Sequence, residues 1–505
     1  VCSSDLLTYT ATDLAGNSSS VTRTVVIETT PEFTQFAFLM AHNPSLSNDV
    51  YLDIGGGLIS GRISENAPVD NLVASFTHNG STVTSQGIVQ TSEISANNFT
   101  QLVSYQLTSA SGLSRSYEVD ITKFTGLPIV YINTDNGSSI DSKDYYVTGT
   151  ISVDGGRYIS DMDATAIEIR GRGNSTWDLH PKKPYQMKFD SKESFLDMPE
   201  DKKWLFLAEY SDKTLIRNSV VFEMGYLSSL DWTPQGEFAE VYINGEYNGT
   251  YNITQKVEQK SNRVDIGNDG FLMEIDHPSR IKPDDVYFTT DEFPIVVVKN
   301  PSIDRIDGND YAYLQDEQFI YISTHINQFE NVLFGSNFAD TNSGYASYID
   351  VDSFIDWFLI NEIIKNVDSR SFSSIYFNHI QGGKIKMGPL WDHDLSFGNT
   401  DYADSQYREG WWIRWNPWVN RLLDDPAFVS KVQARFAYYR TNEQFILDKI
   451  DAYAEKLQWA QKENNDRWQT FGQYVWPNPV VFETHAEEVE HMKSWYQDQI
   501  GRAHV

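Results

Sequence analysis

The 505-residue chain carries 70 acidic against 39 basic residues, a formal net charge of -31, with 40% hydrophobic and 14% aromatic content. That apolar content supplies a core and argues against a disordered chain. The excess of acid argues against nucleic acid or an anionic membrane as partner, since both need basic surface, and no apolar run approaches the roughly 20 residues of a membrane helix.

The two ends share a peculiarity. Back-translated as ATC GGA AGA GCA CAC GTC, the closing IGRAHV gives D-V-C-S-S-D on the opposite strand, and VCSSD opens the chain. Antisense copies of one DNA word point to sequencing-adapter read-through, so residues 1–6 and 500–505 are set apart. The single cysteine, Cys2, goes with them, which leaves no thiol for disulfides, zinc or catalysis.

From Tyr9 to Glu28, YTATDLAGNSSSVTRTVVIE reads as the last hairpin of a truncated module over residues 7–30. Alternating strands broken by Asn, Gly and Ser continue over residues 31–125, for example Asn71 to Gln90 and Leu102 to Ile121. Period-two alternation with turns at this spacing predicts an immunoglobulin-like β-sandwich. Such modules serve as spacers or adhesion units, so an extracellular or bacterial cell-surface location is expected by analogy.

Composition changes near Gly126. Strands are predicted at Leu127 to Asp135, AIEIRGRG and YQMKF, then a helix over Lys213 to Ser228 and a hairpin turning at Asn244-Gly245. Helical spacing follows at about Tyr313 to Leu333 and Val351 to Lys365, with further helix over Ala427 to Glu463 and Glu483 to Gln497. A strand-rich first half and a helix-rich second half predict an α+β body of two lobes over residues 126–499.

The most informative stretch is INEIIKNVDSRSFSSIYFNHIQGGKIKMGPLWDHDLSFGN, Ile360 to Asn399. It ends an apolar helix on Asp368 and a hairpin, turned at Gly382-Gly383, on Asp392 and Asp394 just before Phe397-Gly398. A base-bearing loop, two strands and a metal-binding Asp ahead of Gly is the order of a phosphoryl-transfer site, although neither HRD nor DFG is present. Upstream, two glycines in Arg170-Gly171-Arg172-Gly173-Asn174-Ser175 let the backbone approach a phosphate, with Arg172, Asn174 and Ser175 as donors.

These blocks resemble the CotH family, the spore-coat-protein-H-like atypical protein kinases, from about Pro128 to about Trp495. The resemblance rests on IRGRGNSTW, KKPYQMKFD, LIRN, VYINGEYNGTYNITQKVE, N-x-D at Asn366 to Asp368 and W-D-x-D at Trp391 to Asp394. It implies an atypical two-lobed kinase-like domain that transfers the ATP gamma-phosphate to Ser or Thr hydroxyls of a protein substrate, with Mg2+ or another divalent cation. On it, Asp368 is the base, Lys188 neutralises nucleotide phosphate, and Arg172, Gly173, Asn174 and Ser175 line the nucleotide. Asp392 and Asp394 take the metal.

Several assignments stay open in the sequence. Lys182 and Lys183 are expected to face solvent, Glu223 is one candidate partner for Lys188, and Gln255 to Glu258 could meet adenine, although Glu258 and Arg263 could instead pair. Ser373 stands where kinases carry an Asn for a second metal, and a neutral hydroxyl is a poorer ligand. His379 and His393 lack metal-site spacing and read as local polar groups. WWIRWNPW, Trp411 to Trp418, reads as packing in the helical lobe. Competing classes are a carbohydrate-active enzyme built on paired acids and an adhesion protein that only binds.

Overall fold

The computed structural model describes residues 3–27, 30–303 and 312–501. Cys2, Glu28 and residues 502–505 lie outside that set. The chain forms two compact units, Val1–Gly126 and Leu127–Val505.

In the first unit, Ser3–Thr12 pairs antiparallel with Ser18–Ile27 around the Asp13–Asn17 turn. The turn is held by Asp13, whose carboxylate accepts from the Ala15 and Asn17 amides at 2.9 and 2.8 Å. Beyond it, a six-stranded and a three-stranded sheet cover one core. That core is aromatic: Phe33, Phe36, Phe38, Phe76, Tyr105 and Tyr117 are all buried. The alternation along Val103–Thr108, buried at Val103, Tyr105 and Leu107, is the period-two pattern of the sequence made physical.

The second unit is α+β. Seven strands close into a barrel in the order Ile129–Thr134, Val147–Asp154, Met162–Gly171, Tyr185–Phe195, Met198–Leu207, Glu246–Gln255 and Gly236–Ile243. Six of the seven junctions are antiparallel; the closing one, Ile129–Thr134 on Gly236–Ile243, is parallel. Inward residues such as Val130, Ile151, Ile169, Met187, Phe206 and Tyr251 fill the interior. The Asn244-Gly245 hairpin turn forms as expected, with φ of 51° and 81° at its two residues.

A five-stranded sheet follows, ordered Tyr287–Phe288, Val296–Asn300, Phe271–Ile275, Ile375–His379 and Lys386–Met387. Its principal support is the Val351–Ile364 helix, in which every residue from Ser353 to Ile364 is buried. Asp350 caps this helix by accepting from the Ser353 amide at 2.9 Å. The helix stops where Lys365 turns left-handed, φ 46°, which throws the chain toward Asn366 and Asp368. Among the described residues no helix is long and apolar enough to cross a membrane.

Three expectations are corrected. The predicted Lys213 to Ser228 helix spans only Arg217–Tyr226, and Ala427 to Glu463 is broken into Pro426–Thr441, Glu443–Lys456 and Ala460–Trp468. Lys182 does not face solvent. It is wholly buried, donating to the Thr250 carbonyl and, at 2.8 Å, to Asn464 Oδ1 on a late helix. Gly249 makes room for this junction, since a Cβ there would meet Asn464 at 2.6 Å and the Trp468 indole at 2.7 Å. The Trp run packs inward chiefly through Trp418, 1% exposed, which sits edge-on to Phe293, Phe329 and Phe377.

Candidate active site

Asp368 opens a single 3₁₀ turn, Asp368–Arg370, immediately after the buried helix. The second hairpin strand ends at Met387, so Asp392 and Asp394 do not extend a strand as expected. Pro389 has no N–H to continue the ladder, and Asp392 adopts φ 69°, a left-handed conformation within a loop. Non-glycine residues held there are uncommon and cost free energy, so the loop must be fixed from outside.

It is fixed by two asparagines. Asn366 Nδ2 donates to the Asp392 carbonyl at 3.1 Å and meets His393 Nδ1 at 2.9 Å, while its Oδ1 accepts from the Asp368 amide at 3.3 Å. One side chain therefore ties both aspartate-bearing loops together. From the opposite side, Asn218 at the start of the Arg217–Tyr226 helix accepts from the His393 amide at 2.8 Å. Its own amide donates to Glu209 at 3.0 Å. Arg217 adds a bond from Nε to the Ser396 carbonyl at 3.1 Å and a buried ion pair with Asp212. His393 is thus a local polar group, as expected; burial holds it neutral, its pKa lowered to about 3.

Burial dominates the electrostatics, and crowded carboxylates add to it. Burial and then Asp392 push Asp368 up to about 6. Asp394 is driven well above the carboxylate range by burial, Asp392, Asp212 and Asp368. Glu209, buried, is raised by burial and by Asp212 and Asp394, with Asn218 opposing. Serine hydroxyls attend two of the acids: Ser374 donates to Asp392 at 3.1 Å, and Ser373 approaches Asp368 at 3.5 Å.

Arg172 stands in the field of Asp392, Asp394 and Glu209. Its guanidinium lies 5.8 Å from the Trp391 ring centre. Burial lowers its pKa, and Asp392, Tyr376, Asp394 and Glu209 raise it again. Gly173, at φ 90°, turns the chain into the short Ser175–Leu179 helix, leaving Asn174 exposed and Ser175 half-buried. Gly171 serves packing: a Cβ there would lie 2.2 Å from the Trp177 ring.

Lys188 sits on the adjacent barrel strand, in register with Glu168. It pairs with that residue at 2.7 Å and lies 4.4 Å from the Tyr146 ring centre. Its acidic partner is therefore Glu168 and not Glu223, which accepts from Lys449 at 3.1 Å and Tyr453 at 2.7 Å. Glu258 pairs with Arg263 at 2.6 Å. Lys256 stands beside it, lowered to about 8 by burial and by the nearby charges of Lys203, Arg172 and Arg170, with Glu258 opposing.

Asn218 lies in the LIRN block, which the resemblance marks without giving that residue a role, and Glu209 and Arg280 carried no signal. Arg280 comes from the Pro278–Arg280 turn, donates to Ser373 Oγ at 2.5 Å and lies 4.0 Å from Asp368.

Among the described residues no three His, Cys, Asp or Glu side chains converge tightly enough to cage a cation alone. Magnesium does not require that, since it takes one or two carboxylates and completes its shell with water and phosphate oxygens. Asp392 raises the pKa of both Asp368 and Asp394 on top of their burial, and a hard cation bound between such acids would offset that repulsion.

No curated protein matches the chain. A solved structure, of a candidate glycoside hydrolase from Bacteroides thetaiotaomicron, is 12% identical over 55% of this chain and 85% of that one, with a TM-score of 0.16. That superposition is too loose to support an argument. The model of the family described as CotH kinase protein matches residues 169–500, most of the second unit and more than half of the whole, and the chain belongs to that family.

Proposed function

We propose that this chain is a secreted or surface-displayed protein kinase that transfers the ATP gamma-phosphoryl group to Ser or Thr hydroxyls. In this reading the barrel is the nucleotide lobe and the helices with the five-stranded sheet form the acceptor lobe. The observation that carries it is that Asn366 ties the loops of Asp368 and Asp392 together, with Arg172, just past a barrel strand, in the field of Asp392 and Asp394. Phosphoryl transfer needs this set: carboxylates for a metal and a hydroxyl, and fixed positive charge for phosphate.

Asp392 and Asp394 would hold Mg2+, which supplies charge neutralisation of the phosphates. Asp368 accepts the acceptor's hydroxyl proton, that oxygen bonds to the gamma-phosphorus, and the bond from phosphorus to the β,γ-bridging oxygen breaks to release ADP. Arg172, with Gly173, Asn174 and Ser175 behind it, faces the phosphates. Lys188 is assigned to the outer phosphates and would exchange Glu168 for them. The β-sandwich unit, read as immunoglobulin-like, acts as a spacer, which supports the extracellular location.

Calorimetry with Mg-ATP, alongside a radiolabel transfer assay on a Ser-rich protein, tests the reading. Asp392→Asn should lose metal-dependent nucleotide affinity and transfer together. Asp368→Asn should keep binding and lose transfer by about 10²- to 10⁴-fold. Binding of oligosaccharide with no response to Mg-ATP would replace the kinase reading with a carbohydrate one.

A further inference from the structure

In two-metal kinases the second ion is held by a neutral side chain five residues after the catalytic Asp. Ser373 has that place here, and its hydroxyl is already committed. Its Oγ accepts from Arg280 Nη1 at 2.5 Å and approaches Asp368 Oδ2 at 3.5 Å, with the side chain 1% exposed. The Arg280 guanidinium itself stands 4.0 Å from the same carboxylate oxygen. A cation-binding hydroxyl and its acid therefore already face a permanent positive charge.

The guanidinium is held from behind. Its plane lies 4.6 Å from the Phe372 ring centre, and Phe372 stacks on His277 at 4.8 Å. His277 caps the turn that carries Arg280, accepting from the Ser279 amide at 3.2 Å. Asp276, at the base of the turn, is also within the field of Arg280. A side chain stacked, bonded and only 19% exposed is placed, not merely near.

We propose that Arg280 is a built-in second cation, so that the site takes one divalent ion, on Asp392 and Asp394, where two-metal kinases take two. The proposal rests on the kinase reading above. Arg280 orients Asp368 through Ser373 and supplies, from the acceptor side, the charge that a second ion would bring. An arginine does this without dependence on free metal.

The test counts metal directly. Electron paramagnetic resonance of Mn2+ titrated into the whole chain with a non-hydrolysable ATP analogue should show one bound ion in the wild type. Arg280→Gln should admit a second, and its transfer at low Mg2+ should fall by about 10²-fold, the typical loss for one positioned charge. Excess Mg2+ should restore much of that loss. Arg280→Lys should keep the count at one. Two ions in the wild type would overturn the proposal while leaving the kinase reading intact; no ion would remove both. An Arg280→Gln chain that still binds one ion with unchanged transfer would show that the guanidinium substitutes for nothing. Should that variant not fold, the wild-type and Arg280→Lys counts decide.

Discussion

Replacing Asp368 by Asn should make the protein more stable while it destroys activity. The Asp368 side chain is 14% exposed, and burial together with Asp392 lifts its pKa from 3.8 to about 6. A carboxyl whose folded pKa is raised binds its proton more tightly in the folded state. Its contribution is neutral below the unfolded value, turns unfavourable as pH rises from 3.8 to about 6, and stays at full cost above that. At about 1.4 kcal/mol per pH unit the interval amounts to about 3 kcal/mol at pH 7. An amide of the same shape removes the charge and the cost with it. Asp368→Asn should therefore gain up to about 3 kcal/mol at pH 7, raising the melting temperature by roughly 2–6 °C, and gain nothing at pH 3.5. Scanning calorimetry of both proteins at the two pH values, without metal, measures this. A destabilised variant at pH 7, or a gain independent of pH, would show that the Asp368 carboxylate is held by favourable bonds and is not a group kept charged for chemistry.

The same balance gives a pH profile: without metal effects, transfer should fall about fivefold between pH 6 and pH 5 as Asp368 protonates, and a flat profile there would exclude it as base. Arg172→Ala should weaken Mg-ATP binding more than Lys188→Ala, because Lys188 already has Glu168 as partner; calorimetry that ranks them in the other order would move the phosphate site toward Lys188. Lys183→Ala, near Trp177, should leave binding unchanged. A chain beginning at Leu127 should fold and bind Mg-ATP as the full chain does, since the two units are separately compact; loss of cooperative unfolding would refute that independence.

Much of the site was legible because its signals are local. The apolar run before Asn366 specifies a buried helix by itself, and a carboxylate directly after such a helix is held near the core. Asn244-Gly245 likewise announces its turn through the left-handed conformations both residues adopt. What was illegible depends on distant pairing. Barrel closure joins Ile129–Thr134 to Gly236–Ile243 in parallel, and no alternation of residues encodes which strand will be met. Lys182 reads as a surface lysine because the carbonyl and amide that satisfy it stand 68 and 282 residues further on. The strand expected to carry Asp392 stops at Met387 because Pro389 intervenes, a breaker visible in the sequence but outweighed by the apolar run around it.

The Lys182 junction also constrains the order in which this protein can be made. During synthesis the barrel strands leave the ribosome long before the Ala460–Trp468 helix that supplies Asn464 and Trp468. Until then Lys182 lacks one of its partners and its charge is better left in water. The flank of the nascent barrel that receives this helix should therefore stay hydrated until the C-terminal helices arrive. Ribosomes stalled before residue 460 should display a protease-sensitive barrel, and a chain truncated there should be cleared as unfinished and not accumulate as a free nucleotide lobe.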